Sequence, residues 1–297
     1  MKRLVLSLFL LVSCQTVTAF DLGGFSGILS GGSDDDPDSS GVDIGQIISG
    51  ARDISRTITG IDEEDEIEIG RDAAAVLLGA SKPVDDPELQ RYVNRIGRWV
   101  VSQTDRPHLP WRFAVLESTH VNAFATPGGY IFITYGLLER LNSEAELAAV
   151  LAHEAAHVIR KHHINAMSSF STSGLSGIIK LASQTRDARD NQIATELVNQ
   201  VKDIYLRGLD KDDEFEADQI GTIIAARAGY DPYGLMAVLQ SLDSIHPQSS
   251  SLALLYKTHP PAADRLIKLE PTLDQFNDDI LAQPQVEKRF IRQISGK

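Results

Sequence analysis

The stretch that decides the fold is Ser143-Glu144-Ala145-Glu146-Leu147-Ala148-Ala149-Val150-Leu151-Ala152-His153-Glu154-Ala155-Ala156-His157. A Ser followed three residues later by a Glu is a capping-box pattern, which predicts a helix that begins after Ser143. The alanine- and leucine-rich continuation favours a helix that ends in the basic residues 160–163. We expect His162 and His163 to complement the C-terminal end of that helix. The helix would carry a His-Glu-x-x-His sequence in its apolar middle.

This pentapeptide indicates a metal site. Two imidazoles four residues apart lie on one face of a helix, one turn from each other, as two ligands of a single ion require. Glu154 lies about 100° around the helix from His153, where it can reach a metal-bound water without binding the metal itself. The pentapeptide alone is a modest signal, so a third ligand is needed to support it.

A second acidic helix supplies that ligand. The segment Asp213-Glu214-Phe215-Glu216-Ala217-Asp218 places Glu214 and Asp218 on one face, and Glu216 about 200° away from Glu214. We therefore predict that a metal binds His153, His157 and Glu214, with one Zn²⁺ per chain. We expect Asp218 to lie outside the ligand set, where it accepts a hydrogen bond from the ring N–H of a ligating histidine. This bond would fix the tautomer of that histidine.

Small side chains recur on both helices and predict that the two pack closely. They are Ala149, Ala152 and Ala156 on the first helix, and Ala217, Gly221 and Ala225 on the second. Such residues let two helix backbones approach each other around a shared ion.

The rest of the domain predicts an α+β fold that is mostly helical. Helices are expected over residues 73–78 and from Pro87 through Val100, while residues 165–210 look like a helical excursion or lid. Short apolar runs at 113–116, 121–125 and 130–134, with a Pro127-Gly128-Gly129 break, predict a small antiparallel sheet beside the helix that carries His153.

Four elements in order resemble the HtpX and Oma-type metallopeptidases, gluzincins related to the CAAX prenyl proteases. They are residues 122–129 (Asn-Ala-Phe-Ala-Thr-Pro-Gly-Gly), His153 to His157, the Glu214 to Asp218 element, and Thr258-His259-Pro260, within a resemblance that covers roughly residues 62–275. The resemblance implies a zincin-like domain, here assigned to residues 62–290, in which zinc is bound by His153, His157 and Glu214. It implies Glu154 as the general base.

The resemblance also implies further site residues. Asn122, Ala123, Phe124 and Ala125 match an edge strand that pairs with extended substrate backbone. His259 matches a family position near the metal, and Arg265 matches an arginine that points into the cleft. By chemistry alone, His259 could donate to the oxyanion or occupy and block the open metal position, and Arg265 could stabilise the same charge.

By this resemblance, the chain is expected to be a zinc-dependent endopeptidase that hydrolyses misfolded or unassembled cell-envelope proteins. It is similar to the soluble periplasmic branch of the family, without the C-terminal repeat domain. The expected partners are protein or peptide substrates and either outer-membrane assembly machinery or an adaptor. The alternative is a latent protease or a non-catalytic, chaperone-like peptide-binding module, although the presence of Glu154 favours catalysis.

The N-terminal sequence indicates where the protein is located, and the net charge limits which partners it can bind. Lys2 and Arg3, the apolar residues 4–12 and the small residues 17–19 predict a signal peptide over residues 1–19. Alternatively, Cys14, the one cysteine, ends a lipobox-like tetrapeptide with a leader over 1–13 and a lipid anchor in the outer membrane. A flexible tether (20–42) and an amphipathic helix (43–61) would follow, with the protein in the periplasm. The formal net charge of −13 disfavours nucleic acid as a partner.

Overall fold

The computed structural model describes residues 61–170, 207–244 and 252–294. The leader, the tether, residues 43–60 of the predicted amphipathic helix and most of the predicted 165–210 excursion lie outside this range. The described helices are α1 (Glu63–Ala80), α2 (Pro87–Val101), α3 (Tyr135–Leu138), α4 (Glu144–Ile159), α5 (His162–Phe170), α6 (Lys211–Arg227), α7 (Gly234–Asp243), α8 (Ala253–Thr258), α9 (Ala262–Leu273), α10 (Asp278–Leu281) and α11 (Glu287–Ile294). None of the helices in these ranges combines the length and the apolarity that crossing a bilayer requires.

The strands β1 (Arg112–Leu116), β2 (Ala123–Thr126) and β3 (Tyr130–Thr134) form a sheet in the order β1-β3-β2. The α+β class is confirmed, but the sheet is mixed, because β2 pairs with β3 antiparallel and β1 pairs with β3 parallel. Strands β1 and β2 do not pair with each other, because β3 lies between them. The fully antiparallel sheet expected from the sequence was therefore wrong for the β1–β3 pair.

The predicted turn between β2 and β3 depends on its glycines. Gly128 and Gly129 have positive φ angles of 71° and 100°, a region that side chains with a Cβ rarely adopt. A Cβ on Gly128 would also lie 2.6 Å from the Cα of Ile67 in α1. The hairpin tip therefore packs directly against α1, which holds β2 in place beside α4.

Helix α4 is the buried centre of the fold. Its cap is the predicted box, in which Ser143 Oγ accepts from Glu146 N at 3.1 Å, and its residues from Glu144 to Val158 are buried. At the same end, the buried Glu144 accepts hydrogen bonds from Tyr92 at 2.7 Å and Tyr230 at 2.9 Å, and it pairs with Arg289 of α11. Burial alone would raise the pKa of Glu144, but these donors outweigh it and lower the pKa.

The other end of α4 differs from the prediction. The helix ends at Ile159, and Lys161 adopts a left-handed conformation with φ of 58°, so that α5 begins as a separate helix at His162. The Nζ of Lys161 lies 3.2 Å from a carboxylate oxygen of Glu66, which is fully buried. This distant ion pair stabilises a break that no helix-breaking residue marks in the sequence.

Helices α4 and α6 pack at very short range, as the small residues predict. The three alanines of α4 and the three small residues of α6 that predicted this packing are all buried. A Cβ added at Gly221 would lie 2.8 Å from both the Cα and the N of His153. The backbone of α6 therefore rests on the backbone of α4 at the residue that carries the first histidine.

Candidate metal centre

The two histidines of the pentapeptide point at one position. The Nε2 atoms of His153 and His157 are 3.1 Å apart, and both residues are buried, with 3% and 2% of their surface exposed. Their rings meet edge to face, with centroids 4.7 Å apart. One helical turn of α4 thus brings two imidazole nitrogens together in the interior, as the spacing predicts.

Glu214 of α6 completes this group. Its Oε2 lies 3.7 Å from His153 Nε2, and its Oε1 lies 3.5 Å from His157 Nε2. Oε2 is buried and has no hydrogen-bond partner among the described residues. A buried carboxylate oxygen without a partner costs free energy, and a bound cation would remove this cost.

Asp218 and Arg265 fix the orientation of His153. Asp218 Oδ1 lies 2.9 Å from His153 Nδ1, and Arg265 donates to both Asp218 oxygens, at 2.8 and 2.6 Å. Burial alone would raise the pKa of Asp218, but the Arg265 guanidinium lowers it well below its usual range. The ionised carboxylate then accepts the Nδ1–H of a neutral His153 ring, which leaves the Nε2 lone pair facing His157.

His162 orients the ring of His157, as Asp218 orients the ring of His153. The Nδ1 atoms of His157 and His162 are 2.8 Å apart, and His162 Nε2 lies 2.9 Å from Glu216 Oε2. With neutral rings, His162 donates from Nε2 to Glu216 and accepts from His157 at Nδ1, so the lone pair of His157 Nε2 also points at the shared position. Arg160 pairs with the other oxygen of Glu216 at 2.8 Å.

Sequence reasoning missed this role of His162. We expected His162 and His163 to lie at a helix terminus, but both are buried, with 2% and 6% of their surface exposed. The contact with His157 depends on the break at Lys161, which turns α5 back toward α4. The sequence did contain one signal for this contact, because Glu216 lies on a different face of its helix from Glu214 and is a carboxylate that a histidine can contact.

The arrangement fits a cation. Two nitrogen lone pairs and an unpartnered carboxylate oxygen converge at one buried position, where repulsion among them is relieved by a positive charge. A tetrahedral zinc ion with bonds of about 2.0–2.1 Å needs ligand atoms about 3.4 Å apart. The two Nε2 atoms are 3.1 Å apart, His153 Nε2 lies 3.7 Å from Oε2 of Glu214, and His157 Nε2 lies 3.5 Å from Oε1 of the same carboxylate.

Electrostatics favour the same conclusion. Burial raises the pKa of Glu214 well above its ordinary value and raises that of Glu154 to about 8. Burial lowers the pKa of His153 and lowers that of His157 further. A divalent cation at this position would favour the ionised carboxylates and the unprotonated imidazoles.

His259 and Glu154 lie on the open side of the group. Each offers a ligand atom, and with one from His153 these atoms all lie within 4.8 Å of one another. His259 Nε2 is 3.6 Å from Glu214 Oε2, and its Nδ1 is 2.9 Å from Thr258 Oγ1. The sequence prediction that His259 lies near the metal position agrees with this geometry, and its role remains a prediction.

Arg265 is held in place by Asp218. Its Nε and one Nη are bound by Asp218, and the residue is buried with 5% of its surface exposed. Its nearest contact with the histidine group is 3.4 Å, from Nη2 to His153 Nδ1. The geometry therefore favours a role in holding Asp218 and His153, more than one in contacting a reacting oxygen.

A cleft beside the metal group is lined by the strand that the sequence singled out. The cleft is lined by Asn122, Ala123 and Phe124 together with Glu154, His157, Glu214 and His259. Strand β2 is one of the two edge strands of the described sheet. The Oδ1 of Asn122 is buried and has no hydrogen-bond partner in the described ranges. The Asn122 main chain is already bonded to Thr134 on both its N–H and its carbonyl.

Comparisons with known proteins show the family of the chain. The model of peptidase family M48 matches residues 87–273, which include α4, α6 and α9. The chain is 30% identical over 224 residues to a putative β-barrel assembly-enhancing protease of Vibrio cholerae, covering 68% of this chain and 46% of that protein. The mitochondrial metalloendopeptidase OMA1 of Schizosaccharomyces pombe is 30% identical over 184 residues, covering 62% of this chain and 53% of that protein.

A third relative is the β-barrel assembly-enhancing protease of Escherichia coli (strain K12), 28% identical over 227 residues, with 72% of this chain and 46% of that protein covered. The chain thus spans about half the length of these curated relatives. The family match covers more than half of the chain and contains all the converging residues, so the chain belongs to peptidase family M48.

Proposed function

We propose that the protein is a zinc-dependent endopeptidase of the cell envelope, with zinc held by His153, His157 and Glu214. The observation that carries the proposal is the convergence of two oriented Nε2 lone pairs and the unpartnered Glu214 Oε2 at one buried position. The family match supports a peptidase reaction. When bound there, zinc would lower the pKa of a water molecule to about 7 and polarise a carbonyl oxygen.

The chain's own residues supply the proton transfers. Glu154 accepts a proton from the water that attacks the scissile carbonyl, and it then passes this proton to the leaving amine. Burial raises the pKa of Glu154 to about 8, which makes its ionised carboxylate a stronger base toward the attacking water than an ordinary glutamate. Asp218 and His162 hold the ligating rings, so the donor atoms need no rearrangement during the reaction.

The substrate would lie in the cleft along Asn122 to Ala125. Asn122 Oδ1 offers a buried acceptor there for a backbone N–H of an extended peptide. An extended backbone is available in unfolded or unassembled proteins, which suits a quality-control peptidase. Two of the relatives are a β-barrel assembly-enhancing protease and a mitochondrial metalloendopeptidase, and these names support such a function.

The envelope location is part of the proposal and depends on the leader sequence. We propose export to the periplasm, with processing either after Ala19 or before Cys14, and association with outer-membrane assembly machinery or an adaptor. The intact mass of the mature protein from membrane and periplasmic fractions distinguishes an acylated chain starting at Cys14 from one starting at Phe20. A full-length chain that still carries Met1 in the cytoplasm would contradict export.

The proposed activity is tested with the purified wild-type chain. We expect about one zinc per chain and cleavage of unfolded casein, loss of both after treatment with a chelator, and recovery of both when zinc is added back. Metal content is measured by elemental analysis and cleavage by mass spectrometry of the fragments. A chain that binds zinc yet never cuts unfolded protein would favour the peptide-binding module.

The position of His259 predicts a resting state in which part of the activity is blocked. Its Nε2 lies 3.6 Å from Glu214 Oε2, close to the spacing of about 3.4 Å between ligands of a tetrahedral zinc ion. His259 would therefore be able to compete with water for a bound zinc ion. We expect His259→Ala to keep its zinc and to cut casein several-fold faster than the wild type.

The same variant distinguishes the other role that chemistry allows. If His259 instead donates to the developing oxyanion, His259→Ala will lose about 10²–10³ in kcat with little change in zinc content. His120→Ala provides a histidine control outside the cleft lining. A rate equal to that of the wild type would contradict both roles.

A further inference from the structure

Glu66 of α1 is a buried carboxylate that takes no part in the proposed proton transfers. None of its surface is exposed. Its Oε1 and Oε2 accept hydrogen bonds from Arg106 at 2.9 and 3.0 Å, and Oε1 also accepts from the main-chain N–H of Gly128 at 3.3 Å. Because a buried charge is costly without such donors, these contacts fix the position of the carboxylate.

Arg106 connects this carboxylate to the end of α4. Its Nη1 also donates to the carbonyl of Val158 at 3.3 Å, which is one of the last carbonyls that an α-helix leaves without an internal partner. Val158 directly follows the candidate metal ligand His157. The Glu66 carboxylate is therefore anchored to the last turn of the helix that carries the histidines.

Lys161 contacts the same carboxylate from the break between α4 and α5. Its Nζ lies 3.2 Å from Glu66 Oε2, and 14% of its side-chain surface is exposed. The φ angle of Lys161 is 58°, a left-handed conformation that a residue with a Cβ adopts only at a cost. Leaving either charge buried without its partner would also be costly, so the ion pair holds Lys161 in this conformation.

The conformation of Lys161 decides where His162 points. Helix α5 begins at His162, directly after the left-handed residue, and His162 Nδ1 lies 2.8 Å from His157 Nδ1. If α4 continued through residue 161 as one helix, His162 would lie about 140° around the axis from His157. The break therefore creates the contact that orients the ring of His157.

We propose that Glu66 is a positioning residue for the metal site, which holds Lys161 in the left-handed conformation and thereby keeps His162 against His157. The inference rests on the proposed zinc site, because the expected effect is on the affinity of that site for zinc. Glu66 is not part of the cleft lining. It acts on His157 through Lys161 and His162.

The first test measures the affinity of the purified chain for zinc by competition with a chelator. We expect Glu66→Gln to bind zinc about 10–100-fold more weakly than the wild type, as is usual when the support of a metal ligand is removed. Glutamine keeps the size of the side chain, but its neutral amide leaves Lys161 without a counterion. Glu64→Gln, at an exposed position of the same helix, is the matched control and should bind zinc like the wild type.

A pair of double variants separates positioning from a general loss of stability. Both combine Glu66→Gln with removal of the buried cation, by Lys161→Gly in one and by Lys161→Ala in the other. Glycine adopts positive φ angles without strain, so the variant with glycine should recover most of the lost zinc affinity. The variant with alanine should bind zinc about 10-fold more weakly than the variant with glycine. Equal affinities of the two double variants, or wild-type affinity in Glu66→Gln, would overturn the proposal.

Crystal structures of the metal-free variants test the same step without zinc. In Glu66→Gln, residue 161 should leave the left-handed region, and His162 should move out of hydrogen-bond distance from His157. In the double variant with glycine, the left-handed conformation and the contact between the two histidines should both return. A left-handed residue 161 and an intact histidine contact in Glu66→Gln would contradict the inference. If the wild type bound no zinc while these crystal structures met the expectation, the proposed zinc site would fail, whereas the role of Glu66 in placing His162 would stand.

Discussion

Glu154→Gln is expected to lower casein cleavage by about 10²–10⁴-fold while leaving the zinc content unchanged, since that is the range contributed by a positioned general acid–base. Glutamine keeps the size of the side chain and one of its acceptor oxygens, but it cannot take the proton of the attacking water. Glu154 is buried, with 3% of its surface exposed, and it lines the cleft beside His157 and Glu214. It is not one of the three residues whose donor atoms converge as metal ligands.

The measurement compares kcat/KM for casein-derived peptides with the zinc content of the same preparations. Glu270→Gln, at an exposed position in α9, is the matched control and should behave like the wild type. Wild-type rates in Glu154→Gln would show that another group takes the proton. Loss of zinc together with activity would show instead that Glu154 is needed to build the site, and would remove the argument for its catalytic role.

The site was predictable where it depends on local periodicity. The capping box at Ser143 and Glu146 defines the start of α4, and the four-residue spacing of His153 and His157 defines their common face. The stripe through Ala217 and Gly221 correctly indicated where α6 packs. Each of these features depends on residues that lie about one helical turn apart in the sequence.

The features that the sequence did not reveal depend on distant contacts. The left-handed Lys161 is stabilised by Glu66, which lies far away in the chain, and without that break His162 could not turn toward His157. The parallel pairing of β1 with β3 likewise follows from where β2 sits in the sheet. Local patterns predict strands and helices, but they do not specify which distant partner completes them.

Gly221→Ala is expected to destabilise the fold, although alanine is normally the better helix residue. In an unobstructed helix this change stabilises by roughly 0.5–1 kcal/mol. At Gly221 the new Cβ would lie 2.8 Å from the Cα and the N of His153, and overpacking of this kind costs about 1–3 kcal/mol. The neighbouring atoms are helix backbone and cannot rotate away, so the steric cost outweighs the gain in propensity.

Gly79→Ala is the matched control, because Gly79 is also helical and a Cβ there would meet nothing within 4 Å. The free energy of unfolding, measured with a denaturant, should therefore fall for Gly221→Ala and rise for Gly79→Ala. We expect the rise for Gly79→Ala to be up to about 1 kcal/mol. Relieving the clash at Gly221 pushes α6 away from α4 and separates Glu214 from the histidines. A displacement near 1 Å costs up to about 10²-fold in rate, so casein cleavage should fall and zinc should be lost more readily to a chelator. If Gly221→Ala matched Gly79→Ala in stability and kept full activity, the close approach of the two helices would not be what holds the metal ligands together.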